Sequence, residues 1–324
     1  MSNKNELFIK VIAIGSGGTN AVNQMFRKGI KDVGYVICNT DVKRLESSPV
    51  PNKIQLGSQP IIRQKVSIKP EQGHQAAIES LTEIRKELSA ETKMVFITVA
   101  LGGGTGTGAA PVIAKTSKDL GILTIAVVTL PFRFEGSQRR KQAIEGIKVL
   151  EKCVDTLLII DTEKYQEKTV VLPAIQAFAF ADDLLFLAVK SISEMITVHG
   201  RLAIEFGDIK VILSNKGLAL MNSGTIKNIE SINFAIKNIF NMFLSDKINI
   251  RKASNVIARI VTGKKNASMD VYNEINDAIC RIAGYESDHI WLNVVDESFD
   301  KEITVTIILV GYKVDDISEK ILEA

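Results

Sequence analysis

Six short strand-like runs, most of them apolar, punctuate the first half of the chain: Phe8 to Ile14, Gly34 to Cys38, Lys53 to Leu56, Met94 to Val99, Leu123 to Val128 and Thr156 to Ile160. Longer, polar, helix-like segments separate them. Near-continuous apolar strands alternating with helices predict a parallel sheet covered on both faces, that is, a doubly wound α/β domain. Ligands of such sheets bind at the carboxyl ends of the strands. The unusual residues fall there: Gly15-Ser16-Gly17-Gly18-Thr19-Asn20 after the first run, Asn39-Thr40-Asp41 after the second, Leu101 to Pro111 after the fourth and Phe132-Arg133-Phe134-Glu135-Gly136 after the fifth. Four strand ends point to one ligand.

The segment Leu101 to Pro111 holds five glycines and two threonines. Glycines let backbone N–H groups approach an anion, the hydroxyls add donors, and a helix expected to begin near Ala109 aims its positive end at the same spot. This reads as a phosphate cradle; a flexible linker is the bland alternative. From Pro173 to about Val198 runs a helix apolar around most of its circumference, about 40 Å long at about 1.5 Å per residue. It is expected to be buried on nearly all sides. Asp182, Asp183 and Lys190 interrupt it too soon for a membrane span. Beyond it the pattern changes to a smaller α+β layer. Helices are expected around Ile232 to Phe243 and Val271 to Ile282, with strands at Val256 to Val261, Ile290 to Val295 and Ile303 to Val310. The short link Asp296 to Lys301 makes the last two strands antiparallel. The expected division is 1–172, a nucleotide-binding domain; 173–200, the central helix; and 201–324, a C-terminal domain.

A length of 324 residues suits two domains. With 46% hydrophobic residues and a net charge of +3, the chain offers no case for nucleic acid or a membrane surface. Cys38, Cys153 and Cys280 lie far apart in apolar surroundings, as reduced core residues of a cytoplasmic protein do, and no metal-ligand spacing exists. The start of the chain is polar, without an apolar signal region. His74, His199 and His289 are isolated, as surface or satisfied core residues are.

The cluster Gly102-Gly103-Gly104-Thr105-Gly106-Thr107-Gly108 resembles the signature of the tubulin/FtsZ GTPases in its FtsZ form. Gly15 to Asn23, Cys38 to Asp41, Pro131 to Gly136 and Val294 to Ser298 are each similar to that family and occur in its order. The resemblance spans roughly residues 8 to 312. It implies a cytoskeletal protein that binds GTP or GDP with Mg²⁺ and polymerises head to tail in bacterial cell division. Hydrolysis would be completed at the subunit interface. It further implies that Gly17, Gly18, Asn20, Gly103, Gly104, Thr105, Gly106 and Thr107 hold the phosphates, and that Asn39 and Asp41 border them. Glu135 and Arg139 would meet the ribose, Thr162 would donate to the base, and Asp183 would read the guanine edge. Glu205 and Asp208 would be the catalytic pair, reaching a neighbouring subunit. The implied partners are the chain itself and a conventional family member or division adaptor, in the cytoplasm at the division site.

Three departures fall in the site. Arg63 to Pro70 lacks the family's glycine run, so either Lys65 or Lys69 reaches the phosphates or the loop has lost contact with them. Asp161 and Asp182 stand where the family favours asparagine; a carboxylate only accepts, guanine O6 needs a donor, and clustered carboxylates raise one another's pKa. Ala203-Ile204-Glu205-Phe206-Gly207-Asp208 keeps two carboxylates of the catalytic loop, with Glu205 one methylene longer, and slow hydrolysis follows. Two further readings stand beside the first: a filament or interaction protein of this fold without turnover, and a Rossmann-type NAD enzyme. The NAD reading draws on Gly15-x-Gly17-Gly18 and on Asp41 about 20 residues on. It does not explain the second glycine cluster. The family usually continues into a linker and a terminal adaptor peptide, whereas this sequence stops at Ala324, so the chain is either shortened or without that motif.

Overall fold

The computed structural model describes residues 8–57, 69–88, 91–162, 173–197, 204–243, 249–299 and 302–313. The chain divides into two compact units, Met1–Thr197 with Leu213–Asn215, and Val198–Ile212 with Lys216–Ala324.

The first unit is built on six parallel strands: β1 (Ile9–Ile14), β2 (Val33–Asn39), β3 (Asn52–Gln55), β4 (Met94–Ala100), β5 (Leu123–Thr129) and β6 (Thr156–Ile160). Their order is β3-β2-β1-β4-β5-β6. Every residue of β2 and β5 is buried, which is what their unbroken apolar sequence demands of strands covered on both faces. The covering helices are α1 (Gly15–Lys28), α2 (Val42–Glu46), α3 (Pro70–Glu79), α4 (Leu81–Glu87), α5 (Gly104–Asp119), α6 (Ser137–Leu150) and α7 (Ala174–Thr197). Helix α7 is not buried all round: Phe178 is 45% exposed, and Asp182 and Asp183 are only partly covered. No helix of the described residues is long and apolar enough to cross a membrane.

In the second unit, α8 (Phe206–Leu213) precedes β7 (Gly217–Ile226), α9 (Ile232–Asn241), β8 (Asn255–Thr262), α10 (Met269–Ala283), β9 (Asp288–Val295) and β10 (Ile303–Tyr312). The strand order is β7-β10-β8-β9, with β10 antiparallel to both neighbours and β8 parallel to β9. The last two strands do run in opposite directions, but they do not form the hairpin that their short link suggests. β8 lies between them, and the residues joining them easily reach across two strand spacings of about 4.8 Å each. Strand β7 is absent from the apolar pattern because Asn222-Ser223-Gly224 interrupts it. The fold satisfies part of that interruption internally: buried Asn222 donates through Nδ2 to Ile239 O (3.3 Å), while its Oδ1 has no partner among the described residues, and Ser223 Oγ donates to Val305 O (3.2 Å).

The cysteines divide. Burial pushes the Cys38 thiol far up, making it an inert core group, and Cys280 is also buried. Cys153 is only half-covered, so it is not the core residue its apolar surroundings suggest.

Candidate functional site

The strand order turns back between β1 and β4, and a crevice opens at their carboxyl ends, as it must where neighbouring crossovers leave in opposite directions. A cleft of about 340 Å³ occupies it. Helix α1 starts directly from β1, and α5 starts after a short turn from β4; their first turns line the cleft with Gly15, Ser16 and Gly17 and with Gly104, Thr105 and Gly106. Neither N-terminus has a side-chain cap, and neither first turn carries an acidic residue. Each helix start leaves about four N–H groups without intrahelical partners and the positive end of its dipole at the same point. Two such ends on one cleft suit an anion.

Helix α5 begins at Gly104, five residues before the expected Ala109. Part of the glycine cluster is therefore helix, and its glycines serve packing as much as the ligand. A Cβ on Gly108 would lie 1.9 Å from Pro70 O and 2.7 Å from His74 N, so α3 and α5 touch backbone to backbone. A Cβ on Gly18 would meet Thr98 O at 2.4 Å, which identifies it as the residue that seats α1 on β4. Gly103, by contrast, has open space beside it.

Of the residues expected at a nucleotide, Gly17, Asn20, Gly103, Gly104, Thr105, Gly106, Glu135, Arg139 and Thr162 line this cleft. Glu135 is held at both oxygens: Oε1 accepts from Phe132 N (3.0 Å) and Oε2 from Arg139 Nη1 (2.6 Å). The others sit behind it. Thr107 Oγ1 accepts from Gly102 N (2.9 Å) and braces the turn. Asn39 is buried, donating to Thr19 Oγ1 (3.3 Å) and accepting from Asp41 N (3.1 Å), while Asp41 caps α2 by accepting from Lys43 N (3.0 Å). Their loop reaches the cleft through Thr40, whose hydroxyl is 2.8 Å from that of the lining Thr105.

Asp183 lies off the cleft lining, where Lys28 and Gln24 of α1 donate to its Oδ1. The α7 carboxyl on the lining is its neighbour, Asp182. Residues Phe178, Ala181, Asp182 and Leu185 follow helical spacing and share the face turned to the cleft; one residue further rotates the side chain by about 100°. Burial, helped by the adjacent Asp183, raises the Asp182 carboxyl to about 7. Phe178 meets Phe132 edge-on at 5.4 Å and Phe134 edge-on at 5.8 Å, and Phe132 and Phe134 stack at 5.2 Å. Phe132 and Phe134 belong to the motif after the fifth run, but the sequence motifs do not bring in Phe178. A signal for it exists all the same: Phe178 stands four residues, about one helical turn, before Asp182 on this helix. Asp161, the other acid in place of an amide, is buried 3.8 Å from Arg140.

Glu205 and Asp208 stand exposed at the start of α8 in the second unit, Asp208 Oδ2 accepting from Glu205 N (3.0 Å). Lys69 is the exposed residue before α3. Lys65, His199, Ala203 and residues 163–165 lie outside the described residues. His289 is not isolated: Nδ1 is 3.2 Å from Cys280 Sγ and Nε2 2.9 Å from Ser287 Oγ, a local network between α10 and β9. Among the described residues, no group of three acidic, histidine or cysteine side chains could hold a metal ion.

Residues 8–169 match the model of the Tubulin/FtsZ family, GTPase domain. The chain is 36% identical over 318 residues to the cell division protein FtsZ of Porphyromonas gingivalis, covering 97% of this chain and 69% of that one. It is 38% identical over 304 residues to that of Mycoplasmopsis pulmonis, covering 94% and 77%. Among solved structures, the empty FtsZ dimer of M. jannaschii superposes with a TM-score of 0.86 at 32% identity, over 95% of this chain and 89% of that one. CetZ2 of Haloferax volcanii, a GTPγS-bound protofilament, shares the fold with a TM-score of 0.77 at 18% identity, over 97% of each chain.

Proposed function

This chain belongs to the Tubulin/FtsZ family and carries its GTPase domain, and from that premise we propose that it is a cytoskeletal protein of bacterial cell division that binds GTP or GDP and polymerises head to tail. One observation carries the nucleotide reading: two uncapped helix N-termini without acidic residues converge on one cleft. In this reading the phosphates take the N–H groups of Gly15 to Gly17 and Gly103 to Gly106, the ribose lies by Glu135 and Arg139, and the base rests on Phe178 with Thr162 and Asp182 at its edge. Thr40 and Thr105 form a hydroxyl pair at the phosphate end. Mg²⁺ would neutralise charge on the phosphates, and it would be carried chiefly by their own oxygens and by hydroxyls, since the described residues of the lining offer no acidic cluster there.

The segment 201–324 supplies Glu205 and Asp208 to the nucleotide of the next subunit, with 1–172 forming the nucleotide-binding domain and 173–200 the central helix. Phosphoryl transfer is mainly positioning and electrostatics, so the longer Glu205 side chain slows hydrolysis. The protein works in the cytoplasm at the division site, with itself and with a conventional family member or a division adaptor as partners. A filament without turnover is the second reading, favoured by the changes at Ala203 and Glu205.

Phosphate release measured against protein concentration tests this. With GTP and Mg²⁺, release is expected to rise steeply above the concentration at which filaments pellet. Filaments without concentration-dependent release support the second reading, and neither filaments nor GTP binding refutes the proposal.

A further inference from the structure

The loop between β2 and α2 reaches both helix starts that face the cleft, although Asn39, Thr40 and Asp41 do not line it. Buried Asn39 donates to Thr19 Oγ1 of α1, and Thr19 Oγ1 donates in turn to Gly15 O (2.7 Å), the first residue of that helix. Asp41 caps α2, and its N–H is held by Asn39 Oδ1. Thr40 is therefore fixed from both flanks. Its side chain points to α5, with Oγ1 2.8 Å from Thr105 Oγ1 in the first turn. The two helix starts also meet directly, since a Cβ on Gly15 would lie 3.0 Å from Gly106 N.

Thr40 is 3% exposed, whereas Thr105 lines the cleft. Among the described residues neither hydroxyl makes a second hydrogen bond. A hydroxyl has one proton to give and can accept twice. Only one proton lies between the two oxygens, and the residue that supplies it decides what Thr105 presents to the cleft. When Thr105 donates to Thr40, the lone pairs of Thr105 face the cleft and repel an anion. When Thr40 donates, the Thr105 proton is left for the cleft, and the bond Thr105 receives polarises its O–H into a better donor. The two open helix ends favour an anion there, so the second orientation suits the occupant.

We propose that Thr40 is a positioning residue for nucleotide binding: from behind the cleft it donates to Thr105 Oγ1 and so turns the Thr105 proton onto a phosphate oxygen. This rests on the nucleotide reading of the cleft. Thr40 touches no phosphate and acts only through Thr105. Its contribution therefore exists only while Thr105 has a hydroxyl, whereas a residue that merely packs the loop contributes whatever stands at position 105.

The experiment is equilibrium binding of GTPγS to the full chain, below the concentration at which filaments pellet, over a double-variant cycle. Thr40→Val keeps the branched shape and loses the donor, and affinity should fall about fivefold, the worth of one neutral hydrogen bond. Thr40→Ser keeps the hydroxyl and should bind within about twofold of the unsubstituted chain. Thr105→Val should weaken binding by more than about tenfold, because it removes a hydrogen bond to a charged group. In the Thr105→Val background, Thr40→Val should make no further difference. Equal loss in both backgrounds overturns the proposal and leaves Thr40 a packing residue. Unaltered affinity of Thr40→Val overturns it too, as does a loss in Thr40→Ser equal to that in Thr40→Val. Thr40→Ala removes the same donor with less bulk and carries the cycle if the valine variant does not fold. Absence of saturable GTPγS binding to the unsubstituted chain is a different result, and it refutes the nucleotide reading itself.

Discussion

Gly108→Ala is expected to destabilise the first unit by about 3 kcal/mol, although the residue lies inside a helix, where alanine ordinarily gains about 1 kcal/mol over glycine. The sign is decided by contact. The added methyl would sit 1.9 Å from Pro70 O and 2.7 Å from His74 N, and both are backbone atoms that no rotamer change can withdraw. Helix α3 must move away from α5 or the first turns of α5 must shift, and either spoils close packing that protein interiors do not readily surrender. Urea unfolding followed by a probe in the first unit should show a midpoint lower by at least about 1 M, given slopes of about 3 kcal/mol/M at most for small proteins. Gly103→Ala is the control, because its methyl would meet nothing within 4 Å. Equal midpoints for Gly108→Ala and Gly103→Ala would refute the packing argument.

Asp208→Asn is expected to reduce phosphate release from assembled protein on the order of a hundredfold, with nucleotide affinity and melting temperature nearly unchanged. The amide retains an oxygen that can accept from Glu205 N, as the carboxylate does at 3.0 Å, so the start of α8 keeps its local hydrogen bond. Only the charge is lost. Asp208→Ala removes the bond too and adds a stability cost of about 1 kcal/mol, which would blur the comparison. Single-turnover release of labelled phosphate from pelleted filaments is the measurement. Unaltered release by Asp208→Asn would remove Asp208 from the catalytic pair and leave Glu205 alone in that role.

Much of this architecture is legible in the chain because α/β strands covered on both faces write themselves as apolar runs; five of the six strands of the first unit coincide with such a run to within a residue or two, while the edge strand β3, with only Ile54 buried, coincides with the alternating Lys53-Ile54-Gln55-Leu56. What escapes reading has physical causes. The start of α5 reads too late because glycine has poor helix propensity, whereas here the helical positions 106 and 108 must be glycine: a Cβ would lie 2.7 Å from Val99 Cγ2 at the first and 1.9 Å from Pro70 O at the second. β7 escapes the apolar pattern because its polar middle takes hydrogen-bond partners from other elements, Ile239 for the Asn222 Nδ2 and Val305 for the Ser223 hydroxyl. The choice between Asp182 and Asp183 is finer still. Their chemistry is identical, and only the phase of α7 decides that one lines the cleft while the other takes Lys28. Helical periodicity counted from Phe178 separates them.

The two open helix ends also bear on what stability means for this chain. If phosphate groups satisfy those N–H groups, the nucleotide completes secondary structure that the sequence leaves unfinished, and it enters the folding equilibrium as a component of the native state. At a hundred times its dissociation constant such a ligand adds about 2.7 kcal/mol, a substantial share of the margin by which domains stay folded. The guanine nucleotide level in the cell would then set not only whether subunits assemble but how many of them survive as folded protein to do so.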